Sequence, residues 1–198
     1  KIIVDGGSGN GITSPRWEDL DGNGTADVVY AGDLQGNVWK FDLSDEDPTK
    51  WKPSFSESVP DRDRDRDRDR DRDRDRDRQV AVPLFTAKAL IAGREIGLPI
   101  TTAPELLYMA NGGLMVNFAT GNGFSQADFG SSTLTQRAYG IWDRGTALNN
   151  AVLQQRTYRR LPGGVVVAGG EVMDWSRFSG WYFDLPSQGE AVLADPSY

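Results

Sequence analysis

The sequence predicts an all-β fold, a partial β-propeller with degenerate blades and long loop insertions. Short β-branched and aromatic runs end in Gly-rich turns, the pairing that marks strands joined as hairpins. One hairpin template recurs along the chain. With 23 Gly and 10 Pro among 198 residues, sustained helical periodicity has little room. Repeated sheet units with small inner residues and aromatic outer strands are what propeller blades require. The pattern alone leaves an irregular β-sandwich open.

Taken in order, Gly11-Ile12-Thr13-Ser14-Pro15-Arg16-Trp17 reads as the inner strand of a first unit. Val28-Val29-Tyr30-Ala31-Gly32 is a second strand, and Asp33-Leu34-Gln35-Gly36 carries turn chemistry. Asn37-Val38-Trp39-Lys40-Phe41-Asp42-Leu43 then alternates, as a half-buried strand should. In a second unit, Ile100-Thr101-Thr102-Ala103-Pro104-Glu105-Leu106 leads to a strand at 113–121, and Ala138-Tyr139-Gly140-Ile141-Trp142-Asp143 closes it. A third unit is expected from the runs 164–169 and 180–185. Three blades are too few to close a ring, which commonly takes about four to eight. Together with a start at Lys1-Ile2-Ile3-Val4, this predicts that residues 1–198 are a fragment of one propeller domain cut from a longer protein.

Residues 44–82 read as a loop inserted after the first unit. It contains nine Asp-Arg pairs at 61–78. Strict alternation of opposite charges has no apolar face in any regular structure, so the repeat cannot offset the entropy of ordering and is expected to be disordered. The pairs cancel internally. Of 29 acids and 22 bases, 20 and 13 lie elsewhere and carry the whole net charge of -7. An acidic surface repels phosphate backbones, which argues against nucleic acid as a partner. There is no Cys, hence no disulfide framework or thiol chemistry, and no His, the commonest general base and transition-metal ligand. No apolar run is long enough for a membrane span. Without His, no ordinary Ser-His-Asp arrangement can be built, and the expectation is that the chain is not an enzyme.

The strongest local signal is Asp19-Leu20-Asp21-Gly22-Asn23-Gly24-Thr25-Ala26-Asp27. Oxygen-bearing side chains fall at loop positions 1, 3, 5 and 9 with Gly at position 6, the first three-quarters of an EF-hand-type loop. Calcium (Ca2+) takes about six to eight hard oxygens at roughly 2.3–2.6 Å. Asp19, Asp21, Asn23 and Asp27 would supply side-chain oxygens, and Thr25 its carbonyl. Position 12 is Tyr30 instead of a bidentate Glu, so the shell needs another oxygen and the affinity should resemble that of extracellular modules. Magnesium is the lesser alternative, and an acidic turn without an ion the plainer one. Replacing Asp27 with Ala is expected to remove ion-dependent stabilisation while leaving the fold largely intact. The Gly-rich run 6–11 reads as a blade connection. The six Trp residues read as packing between blades, with a sugar-stacking surface as the alternative.

Residues 19–43, Leu84-Phe85-Thr86-Ala87, Pro99-Ile100-Thr101-Thr102-Ala103-Pro104-Glu105, Phe118-Ala119-Thr120-Gly121, Ala138 to Asp143 and Gly180-Trp181-Tyr182-Phe183-Asp184-Leu185-Pro186 together resemble the PilY family of type IV pilus tip and biogenesis proteins. The resemblance implies a modified β-propeller from the C-terminal region of a large secreted protein. It also implies calcium at Asp19, Asp21, Asn23, Asp27 and the Thr25 carbonyl. The implied roles are pilus assembly, calcium-regulated opposition to retraction, twitching motility and surface adhesion. Minor pilins or other tip proteins are the implied partners, with host or abiotic surfaces reached through an N-terminal part not in this sequence. The implied location is the cell surface at the pilus tip, with the outer membrane or periplasm during assembly. A sugar-binding propeller and a quinoprotein-like dehydrogenase are the competing functions.

Overall fold

Alternating side chains along three consecutive runs build the first sheet. The computed structural model describes residues 1–4, 9–60, 78–122, 134–148, 153–163, 166–169, 171–187 and 189–195. Within them β1 (Ile12–Glu18), β2 (Val28–Asp33) and β3 (Asn37–Asp42) form an antiparallel meander, with Glu18 opposite Val28 and Val28 opposite Asp42. β4 (Lys52–Pro53) extends it along the far end of β3. β5 (Ser56–Val59) and β6 (Arg78–Ala81) pair antiparallel with each other. β7 (Phe85–Thr86) returns to β3 at Asn37 and Val38.

A small hairpin of β8 (Lys88–Ile91) and β9 (Arg94–Gly97) leads to the second sheet. There β10 (Glu105–Tyr108), β11 (Leu114–Ala119) and β12 (Arg137–Asp143) repeat the meander, with Leu114 opposite Asp143. β13 (Gln154–Gln155) and the hairpin of β14 (Thr157–Arg160) and β15 (Val166–Gly169) follow. β16 (Gly180–Asp184) then pairs antiparallel with β12 and parallel with β13. The fold is nearly all-β; a single 3-10 turn at Pro48–Lys50 is the helical element among the described residues.

The expected third blade is therefore not a separate unit. The run 180–185 supplies the fourth strand of the second sheet, while β15, among the described residues, pairs with β14 alone. Glycine makes this possible. A Cβ on Gly140 would meet the Trp181 ring at 2.4 Å, and one on Gly180 would meet the Gly140 carbonyl at 2.3 Å. The inserted loop also differs from expectation at its two ends, which hold the 3-10 turn and β4 to β6. The repeat itself, 61–78, lies outside the described residues except for its last residue, Arg78, which begins β6.

The main core lies between the two sheets. Val28, Tyr30 and Val38 of the first face Val116, Phe118, Tyr139 and Ile141 of the second, with Leu84, Phe85, Leu98 and Ile100 of the connection wedged among them. Phe118 and Tyr139 stack at 5.0 Å between ring centroids, and Phe85 tilts against both. A smaller cluster of Ala31, Trp39 and Phe41 covers the opposite face of the first sheet. β3 is thus covered on both faces rather than half-buried, because Ile2, Val4 and Ala81 shield its second side.

Candidate metal centre

The loop at residues 19–27 is a product of the meander. Glu18 ends β1 and Val28 begins β2. The amide of Asp27 donates to the Glu18 carbonyl at 2.9 Å, and the amide of Leu43 donates to the Asp27 carbonyl at 2.8 Å. With the ends pinned, the chain between them must curl, and Gly22 (φ 78°) and Gly24 (φ 89°) provide left-handed backbone that other residues resist.

The curl is held by carboxylates. Asp19 accepts the amides of Gly22 (2.7 Å), Asn23 (3.2 Å) and Gly24 (2.7 Å). Asp27, buried at the base, accepts those of Leu20 (2.7 Å) and Asp21 (3.2 Å) through Oδ2. Asp21 accepts from the Asn23 amide at 2.9 Å and its side-chain Nδ2 at 3.0 Å. The amide and hydroxyl of Thr25 both donate to Asn23 Oδ1. The Gly24 amide is the leading cause that holds the Asp19 carboxyl below its ordinary value of 3.8; burial opposes it, and the Gly22 and Asn23 amides add to it.

Asp19, Asp21 and Asp27 each place a carboxylate oxygen within 4.8 Å of the others. Two oxygens on opposite sides of one calcium ion can stand about 5 Å apart at ordinary bond lengths, so this spacing fits such an ion. The donors are hard oxygens, the kind calcium prefers. Of the five residues named from the sequence, the structure brings these three carboxylates together. Asn23 and Thr25 lie on the same curl, bonded to each other. Tyr30, the twelfth position, turns away into the core: its hydroxyl donates to Asp143 Oδ2 at 2.6 Å.

Asp27 has a second task that sequence reasoning missed. Removing its carboxylate with Ala would leave the Leu20 and Asp21 amides without their acceptor, so that variant disturbs the loop even without an ion. Also unforeseen is Tyr108 of β10, whose hydroxyl donates to Glu18 Oε1 at 3.0 Å with the Asp19 carbonyl at 3.3 Å. It is separated from Glu18 by 90 positions, and no local motif announces it. Asp33 is the third. Wholly buried, it accepts from the amides of Gln35 and Asn37 and the side chains of Asn10, Asn37 and Trp39. Gly36 (φ 87°) completes that turn, against Ala87 and Leu98.

Trp39 and Trp142 are buried, with Nε1 donating to Asp33 and to the Gly112 carbonyl, each bonded within its own sheet unit rather than across the two as the sequence suggests; Trp17 and Trp51 are exposed. Trp175 and Trp181 line an open cleft. Among the described residues, no helix is long and apolar enough to cross a membrane.

The family described as the PilY1 beta-propeller domain matches residues 1–166. The chain belongs to that family. It is 31% identical over 231 residues to a type IV pilus biogenesis factor PilY1 of Pseudomonas aeruginosa, covering 98% of this chain and 18% of that protein. It is 30% identical over 188 residues to a PilY1 homolog of Xylella fastidiosa, covering 91% of this chain and 11% of that one. The crystal structure of the P. aeruginosa PilY1 C-terminal domain superposes with a TM-score of 0.67 at 26% identity, covering 97% of this chain and 44% of that domain. The chain thus spans less than a fifth of the curated relatives it matches. The all-β propeller class is the one the sequence predicts.

Proposed function

We propose that this chain is a calcium-binding propeller segment that serves type IV pilus biogenesis at the cell surface. The convergence of Asp19, Asp21 and Asp27 within 4.8 Å on a curl pinned by the blade carries the proposal. Calcium bound there would cancel the repulsion among the three carboxylates. Asp19 and Asp27 hold the curl through backbone amides, Asp21 is exposed at the mouth, and Asn23 and the Thr25 carbonyl complete the set from the same turn. A cation that binds only this ordered loop stabilises the fold by mass action. Calcium-regulated opposition to retraction, twitching motility and adhesion are the biological outputs, with minor pilins or other tip proteins as partners.

The test is calorimetric titration with calcium and with magnesium, beside Asp21→Asn and Asp27→Asn, followed by pilus counts and twitching in cells carrying the same changes. Saturable calcium binding that Asp21→Asn weakens and Asp27→Asn abolishes, with altered pilus number, is expected. Equal heats in parent and variants would end the proposal.

A sugar-binding role has one observation in its favour. Arg156, Tyr158, Met173, Trp175, Trp181 and Phe183 line a cleft of about 370 Å3, and the Trp181 and Phe183 rings lie stacked at 5.9 Å. Aromatic faces of this kind suit sugar rings. A glycan array probed with the parent and Trp175→Ala decides it: no glycan lost on substitution removes the reading.

A further inference from the structure

We infer that Tyr108 couples the 19–27 loop to the second blade, so that ion loading of the loop and the contact between β1 and β10 reinforce each other. This rests on the calcium reading of the loop.

β1 and β10 are the terminal strands of their sheets, and they approach each other along a seam. Two side chains bridge it. Near one end the Arg16 guanidinium reaches Glu105 Oε2 at 2.9 Å and the Pro104 carbonyl at 3.2 Å. Toward the other, the Tyr108 hydroxyl reaches Glu18 Oε1 at 3.0 Å and the Asp19 carbonyl at 3.3 Å. The first bridge ties strand to strand, away from the loop. The second lands on the residue where the loop begins.

Tyr108 is 65% exposed, so removal of apolar area from water does not account for its position. The feature that distinguishes it is the hydroxyl, which has one proton for two acceptors. One acceptor is on the last residue of β1; the other is the backbone of a proposed ligand. Any shift of Asp19 alters the balance between them. Leu20 and Tyr108 also share the wall of an inter-blade cleft of about 430 Å3 whose lining includes Lys40 and Asp143. A change of the loop at residues 19 and 20 therefore reshapes the space between the blades. Linkage is reciprocal: if loading the loop strengthens the Tyr108 contact, that contact strengthens loading by the same factor.

The experiment uses the full chain and three variants: Tyr108→Phe, Arg16→Ala and Asp27→Asn. Calcium affinity is read by calorimetry, and amide exchange at 105–108 is followed with and without calcium. In the parent, calcium binds and slows exchange in β10. In Asp27→Asn both effects vanish. In Tyr108→Phe, affinity falls by about two- to tenfold, the range that one hydrogen bond supplies, and the slowing in β10 is lost. In Arg16→Ala, the melt drops equally with and without calcium while affinity stays within about twofold. Parent-like affinity and parent-like slowing in Tyr108→Phe would overturn the coupling while leaving the metal site standing. An equal affinity loss in Arg16→Ala would also overturn it, since the seam as a whole and not Tyr108 would then set loading. A parent that binds no calcium ends both readings.

Discussion

Asp42 and Asp143 occupy the same rung of their sheets. Each ends the third strand, and each sits opposite the first residue of the second, Val28 in one blade and Leu114 in the other. Their fates differ. The Asp42 side chain, 38% exposed, accepts from the amide and hydroxyl of Ser44, two residues on. The Asp143 side chain, 1% exposed, accepts from Tyr30 and Lys40 of the other sheet, with Lys40 Nζ at 2.7 Å. The positions matching Tyr30 and Lys40 in the second blade are Val116 and Ile141, both wholly apolar and buried. A repeat places equivalent residues on equivalent rungs, and both carboxylates cap a turn two residues on, Asp143 by accepting the Gly145 amide at 2.8 Å; the neighbouring blade decides whether the carboxylate also anchors a buried ion pair. That burial, followed by the Asp143 charge, pushes the Tyr30 hydroxyl well above its ordinary range.

The largest test of this contrast is Asp143→Ala against Asp42→Ala. Losing Asp143 strands a largely buried ammonium and a buried hydroxyl, so urea unfolding should show a loss of about 3–5 kcal/mol. Losing Asp42 removes one exposed turn cap and should cost about 1 kcal/mol or less. Similar losses would break the comparison. The double change Lys40→Met with Asp143→Leu should recover most of the stability, because no charge is then left buried alone.

The next pair lies at the far end of the second strands. Asp33 and Thr120 both follow the last β2–β3 or β11–β12 rung and both are fully buried. Asp33 gathers donors into a tight turn, whereas the Thr120 hydroxyl accepts the Arg137 amide at 2.9 Å, donates to the Arg137 carbonyl at 3.4 Å and precedes a longer connection. Asp33→Asn should cost about 2–3 kcal/mol by replacing one acceptor oxygen with a donor among donors. Thr120→Ser, which keeps the hydroxyl, should cost about 1 kcal/mol.

The strand 1–2 connection differs most in chemistry. It is the acidic curl in the first blade and the short turn at 109–113 in the second. With calcium about a hundredfold above Kd, the parent should gain about 2.7 kcal/mol and Asp27→Asn none. Without calcium, Asp27→Ala should unfold more easily than Asp27→Asn, which retains an acceptor for Leu20 and Asp21.

The smallest effect is acid sensitivity near the end of β3. Asp42, Asp45 and Asp47 are held below their ordinary value, chiefly by the Ser44 hydroxyl, the Asp47 amide and the Thr49 hydroxyl in turn. A lowered folded value contributes stability that is complete above the unfolded value of 3.8 and is lost as pH falls through the folded one. NMR titration should place all three midpoints below 3.8, with faster amide exchange at 42–50 appearing only beneath them.

Local chemistry made much of this legible. The runs at 28–32 and 37–43 announced β2 and β3, and the Asp-Gly-Asn-Gly spacing announced the curl. The third blade was misread because its aromatic strand carries the same pattern as an outer strand of the blade before it. Strand pairing depends on which partner lies nearest, and the glycines at 140 and 180 settle that in space. Tyr108 and Asp143 had no local signal because their partners lie 90 and 113 positions away along the chain.

By itself the sequence determined the all-β class, the two meanders and the oxygen-rich loop, since side-chain alternation, turn residues and ligand spacing act within a few residues of one another. Only the tertiary structure decided how many blades those strands make, which carboxylates turn inward and which become buried anchors. Those outcomes depend on desolvation and on contacts between sheets, and both arise only when distant segments pack together.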